Sequence, residues 1–230
     1  MKKILTIVFI FSLHIQTKGQ SYYQKYDAGI KFGVNAAFTD LAKNKHLYST
    51  ALNISHFFNP YTAISVEGQF GKLKGGGVAT DLHMRQYTNS YMAYYFQGRY
   101  YFGNFLYNTR SDFFSAFKNF YISAGIGVIH NSISQNTRVK PDGTGYIFPG
   151  LDHSTDLLLP VDIGFDIPLY NRFGEYKWRI CVSGQFLQTF GEGLDGYNDP
   201  PGKFSNKFPD SFATFLIGMK YSFGKLNYWN

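Results

Sequence analysis

The sequence predicts an all-β protein, a closed antiparallel up-and-down transmembrane β-barrel of about eight strands. Three observations predict it. Strict period-two alternation recurs in segments of about ten residues or more, longer than the five or six of an ordinary globular strand. Aromatic residues make up 20% of the chain and charged ones only 16%, against roughly 25% charged in typical globular proteins. And no interior stretch is long and apolar enough for a membrane helix, so an apolar solvent must be met by strands.

The first element reads as an address. Lys2 and Lys3 precede the apolar run Ile4 to Leu13, and Thr17-Lys18-Gly19 ends in a small residue, which is the layout of a signal peptide over residues 1–19. That run is too short to cross a bilayer, which takes about 20 residues. The expected mature domain is 20–230. Its charge follows by subtraction: the formal +7 less Lys2, Lys3 and Lys18 gives 7 − 3 = +4. Such mild, dispersed basicity excludes nucleic-acid binding as a working reading. The single cysteine, Cys181, excludes an intramolecular disulfide.

The strands follow in order. From Tyr26 to Thr39, Ala28, Ile30, Phe32, Val34, Ala36 and Phe38 alternate with Gly29, Lys31, Gly33, Asn35 and Ala37. Leu52 and Ile54 alternate with Ala51, Asn53 and Ser55; after Asn59-Pro60, Ile64, Val66 and Phe70 alternate with Ser65, Glu67 and Gln69. Tyr94, Phe96, Tyr100 and Phe102 stand against Ala93, Tyr95, Gln97 and Arg99 in the fourth, and Ile122, Ile126 and Val128 against Ser123, Gly125 and Gly127 in the fifth. The sixth sets Leu157, Leu159, Val161, Ile163, Phe165 and Ile167 against Asp156, Asp162, Gly164 and Asp166. Tyr176, Trp178, Ile180, Val182 and Phe186 oppose Lys177, Arg179, Cys181, Ser183 and Gln185; Phe215, Ile217, Met219, Tyr221 and Phe223 oppose Thr214, Gly218, Lys220 and Ser222. One face is greasy, the other small or polar. A soluble sandwich would instead carry long charged side chains on its polar face.

Outer connections are expected at 40–46, 72–89, 131–154 and 191–209, and inner ones at 58–61, 103–119 and 168–175. Within 103–119, Phe113, Phe114 and Phe117 are spaced like one face of a short amphipathic helix, a candidate docking segment for a protein partner. The inward set holds Lys31, Arg99, Lys177, Arg179 and Lys220 against Glu67, Asp156, Asp162 and Asp166. Buried charges persist only when paired and hydrogen-bonded, so these are expected to form a polar plug; a gated ion path is the functional alternative. Tyr48, Tyr61, Tyr100, Tyr101, Tyr176 and Trp178 are expected as interfacial girdles.

The terminal run Gly218-Met219-Lys220-Tyr221-Ser222-Phe223 resembles the assembly signal of bacterial outer-membrane proteins. Two departures stand out: Leu216 occupies a usually polar position, and seven residues follow Phe223. With the leader and the strand count, the mature chain resembles small eight-stranded outer-membrane barrels, in particular the Bacteroidetes-type outer-membrane β-barrel domain. That resemblance implies outer-membrane location and contact with outer-membrane lipid and lipopolysaccharide.

Two constellations carry candidate chemistry. His130 and Ser132 share the lipid-facing side of the fifth strand, and faintly resemble the His-x-Ser element of outer-membrane lipid A deacylases. The residues after the Ser, Ile133 and Ser134, depart from that pattern, and no acid is placed by sequence to orient the His. In the last outer connection Glu192, Asp195, Asn198 and Asp199 are oxygen donors of the kind Ca²⁺ takes, but their spacing matches no EF-hand. Gly75-Gly76-Gly77 lacks the Lys-Ser/Thr of a phosphate-binding loop. The expectation is a structural or interaction protein with no cofactor and no enzymatic activity; a lipid A-modifying hydrolase and a narrow channel are the alternatives.

Overall fold

The computed structural model describes residues 21–41, 44–105, 117–172, 175–198 and 210–229, so the expected leader lies outside it. Eight strands form one closed ring in sequence order: β1 (Ser21–Phe38), β2 (Leu47–Asn59), β3 (Thr62–Gly76), β4 (Gln86–Tyr101), β5 (Phe120–Ser134), β6 (His153–Tyr170), β7 (Tyr176–Thr189) and β8 (Ser211–Trp229). Every neighbour is antiparallel, and β8 closes on β1 with Ile30 opposite Met219. Closure leaves no free edge, so every backbone amide of the spanning region finds a partner without water.

The strands are longer than the sequence pattern suggested, from 13 residues in β2 to 19 in β8. A tilted transmembrane strand needs about 9–11, so the sheet projects beyond the bilayer. β3 runs to Gly76 and β4 starts at Gln86, which cuts the expected 72–89 connection to 77–85. The residues after Phe223 are not a tail: across a bulge at Gln24/Tyr26, Leu226 to Trp229 pair with Ser21 to Gln24.

Outward positions form an apolar belt. Phe32, Ile54, Val66, Ile126, Leu157 and Phe215 are each more than half exposed, which in water would be a large unpaid apolar surface. Tyr26 stacks with Phe223, and Trp178 meets its cross-strand partner Tyr221 at 4.8 Å between ring centres, as an interfacial girdle requires. Ser21, Trp229 and the tight Asn59–Thr62 turn share one end; the connections 77–85 and 135–152 and the loop residues 190–198 share the other. Short turns face the periplasm and long loops the exterior in such barrels, and the chain is an outer-membrane β-barrel.

Two close approaches shape the interior. Tyr95 lies opposite Gly127 and Tyr121 opposite Gly164, and a Cβ built on Gly164 would come within 2.4 Å of the Tyr121 ring. The missing side chain is what lets each long ring lie across the lumen.

Candidate functional site

The lumen is stacked in three layers. The middle one is ionic. Glu67 on β3 accepts from Lys31 on β1, Tyr95 on β4 and Gln185 on β7, each at 2.8 Å, and both members of the Lys31–Glu67 pair are fully buried. Asp166 on β6 accepts from Lys220 on β8 at 2.9 Å and Tyr101 on β4 at 2.7 Å, and Arg179 on β7 bridges Asp166 and Asp27. Arg99 lies over the Tyr121 ring at 4.5 Å, and Asp162 stands two strands away along the same register row. Lys31, Arg99, Arg179 and Lys220 equal Asp27, Glu67, Asp162 and Asp166 in number, all at most 6% exposed, but contrary to the expected pairing the Arg99 guanidinium and the Asp162 carboxylate have no hydrogen-bond partner among the described residues. Hydrogen bonds thus cross the lumen between strands that are not neighbours in the ring, β1 to β3, β7 to β3 and β4 to β6.

Towards the exterior the lumen becomes apolar. Leu73, Tyr87, Ile129, Leu158, Leu187 and Phe212 point inward and are essentially unexposed, and the loop residues Phe148, Leu194 and Tyr197 pack onto them. Tyr197 Oη donates to the Gln86 carbonyl at 2.7 Å, Asn89 donates to the Leu194 carbonyl at 2.9 Å, and Arg138 holds both Asp152 and the Gly196 carbonyl. Two outer loops are thus fastened as a lid. Beneath it lie Asp195 and Asp210, 3% and 2% exposed. Burial pushes the Asp195 carboxyl up to about 7 and the Asp210 carboxyl, which also feels Asp195 and Glu192, up to about 9.

The inner layer is aromatic. Phe57, Tyr101 and Tyr121 are buried there, with Tyr23 and Tyr61 against them. This corrects the girdle expectation for Tyr101, which is 4% exposed and bonded to Asp166. Its odd number gives it the inward parity of Gln97 and Arg99, so alternation outranks position at a strand end. Tyr61 and Tyr176 likewise line the inner mouth. Lys177 has inward parity but sits at the open strand end and is exposed; Asp156 is half-buried under the last outer loop, accepting from Asn131 at 3.1 Å and Ser154 at 2.8 Å. Cys181 is a free, buried thiol at an inward position of β7.

The structure keeps His130 and Ser132 on the outward face of β5, where both are exposed. His130 Nδ1 lies 2.7 Å from the Thr155 hydroxyl, the place a carboxylate holds in a catalytic triad, and Ser132 stands opposite His153. The candidate oxygen donors are divided. Glu192 and Asn198 line a small outer cavity with Asp156, Asp195 turns down toward Asp210, and Asp199 lies outside the described residues. Among the described residues no group of three or more His, Cys, Asp or Glu is placed to hold a metal ion. Phe113 and Phe114 also lie outside the described residues; Phe117 opens a short 3-10 turn, Phe117–Asn119.

The outer apolar layer is what sequence reading missed. Leu158, between Asp156 and Asp162, and Leu187, two residues past Gln185, share the parity of the residues taken as lumen-facing, and that parity was the available signal.

No family model and no curated protein matches this chain. Solved structures do. Neisserial surface protein A (NspA) is 12% identical with a TM-score of 0.46, over 90% of this chain and 100% of that one. Ail, the attachment invasion locus protein of Yersinia pestis, is 13% identical at 0.45, over 87% and 99%. The outer membrane protein OprG from Pseudomonas aeruginosa is 10% identical at 0.39, over 88% and 98%. The chain is similar to these remotely and over most of its length; its own belt and closed ring are what place it in the membrane.

Proposed function

We propose that this protein is a sealed outer-membrane barrel, a structural or interaction protein that displays a fixed outer loop surface and neither conducts ions nor catalyses a reaction. The observation that carries this reading is the double closure of the lumen: an ionic layer bridged from four or more strands, and above it an apolar layer under loops 135–152 and 190–198. Fastened loops present one surface to a partner with little ordering entropy left to lose on binding. On the periplasmic side, Phe105 and Phe117 are exposed within the 103–119 segment and support a protein contact there. Outer-membrane lipid and lipopolysaccharide are the remaining partners, against the belt. The Bacteroidetes-type grouping belongs to this proposal and rests on the leader, the strand count and the terminal-strand motif taken together. The non-catalytic part is supported by the hydroxyl, rather than a carboxylate, at His130 Nδ1.

Purified protein in planar bilayers is expected to give no conductance steps. Reproducible steps would overturn the sealed-barrel reading and favour the narrow channel. An unchanged lipid A acyl pattern in His130→Ala and Ser132→Ala strains is expected; a lost acyl form would instead establish the hydrolase.

A further inference from the structure

The inner mouth holds a cavity of about 230 Å³ that neither the plug nor the lid uses. Tyr61, Tyr170 and Tyr176 wall it, and Tyr170 and Tyr176 meet edge to face at 5.7 Å between ring centres. Arg179 and Ser222 line it more deeply, 6% and 3% exposed, with Lys118 also on its lining. Polar capacity is left over at this spot. Arg179 commits two nitrogens to Asp27 and Asp166, but its Nε, the Ser222 hydroxyl and the Gln24 side-chain oxygen are buried without a hydrogen-bond partner among the described residues. Native structures rarely leave such groups unpaired. Arg179 and Lys220 are matched by Asp27 and Asp166, so Lys118, for which no ion pair is formed among the described residues, leaves one cation in excess at the mouth.

Aromatic walls with one or two convergent polar groups and a cationic side are the form of a small-molecule site. Tyrosine rings accept the apolar C–H face of a sugar while the unpaired Ser222 hydroxyl meets its polar edge. A guanidinium N–H and an ammonium select a carboxylate. The mouth opens to the periplasm, the compartment of the cell-wall glycan, whose sugars include carboxylate-bearing ones. From these observations we propose that the cup at the inner mouth, formed by Tyr61, Tyr170, Tyr176, Arg179, Ser222 and Lys118, binds an acidic amino sugar with its ring on the tyrosines and its carboxylate toward Arg179 and Lys118.

Calorimetric titration of the full barrel in nanodiscs separates the two components of recognition with three probes: N-acetylmuramic acid, N-acetylglucosamine and lactate. Saturable binding of N-acetylmuramic acid with a Kd near or below about 1 mM is expected, at least tenfold tighter than either the neutral sugar or the free acid. Tyr176→Ala is expected to remove it, and Ser222→Ala to weaken it several-fold while heat-modifiability on gels stays that of the parent. Absence of saturable N-acetylmuramic acid binding, equal binding of lactate, equal binding of N-acetylglucosamine, or insensitivity to both substitutions would each overturn the assignment. None of these outcomes bears on conductance, so the site and the sealed-barrel reading stand or fall separately.

Discussion

The middle and the outer layers of the lumen close the same tube by opposite means. In the middle, Lys31 and Glu67 face each other across fully desolvated space, and each charge is worth keeping only because its partner is present. In the outer layer Leu158, Leu187 and Phe212 meet the loop residues Leu194 and Tyr197, and closure comes from removing apolar surface from water. The ionic layer is directional: removing one partner leaves a buried orphan. The apolar layer is tolerant, because a shortened side chain leaves a cavity that neighbours can partly fill. The ionic layer thus ties strands to one another across the lumen, and the apolar layer ties loops to strands.

Glu67→Ala breaks this comparison most sharply. It strands Lys31 and removes an acceptor for Tyr95 and Gln185 as well. A loss of about 3–5 kcal/mol is expected, measured as a lower urea midpoint of the detergent-folded barrel. Lys31→Met with Glu67→Leu in one chain is expected to recover most of it, since matched apolar replacement of a buried pair is often neutral or better; failure to recover would show that the hydrogen bonds to Tyr95 and Gln185 carry the layer.

Leu187→Ala sharpens the other side. A cost of about 2–4 kcal/mol is expected, with outer-loop backbone amides exchanging faster while those of the inner strand halves keep their protection. Equal loss of protection at both ends would mean that the two layers form one cooperative unit.

The smallest effect is a pH dependence of the lid. Asp195 and Asp210 have folded-state values raised to about 7 and about 9, so the folded lid holds more protons than the free loop, whose carboxyls titrate near about 4. Their protonated forms favour closure fully below about pH 4, and that contribution is lost as pH rises toward about 9. Glu192 and Asp40 oppose the second ionisation and Arg85 favours Asp195 ionisation, so a graded change is expected. Limited proteolysis at 190–198 should be faster at pH 9 than at pH 6, and Asp210→Asn should flatten the difference; equal rates at both pH values would refute it.

Strand number, lipid-facing residues and the sign of the lumen charges were legible in the sequence, because a β-strand has an exact period of two and lipid demands an uninterrupted apolar face. Ile30, Val66, Ile163 and Ile217 point outward and Lys31, Glu67, Asp166 and Lys220 inward, as alternation dictates. Alternation says nothing about height along the lumen or about which strands face each other across it. Which carboxylate meets which amine, that Glu67 collects donors from three other strands, that Tyr101 turns in to Asp166, and that Leu194 and Tyr197 fold down onto Leu158 and Phe212 were all decided by ring closure and stagger. These contacts join residues tens to more than a hundred positions apart, and only the register of a closed sheet brings such distant positions to one level.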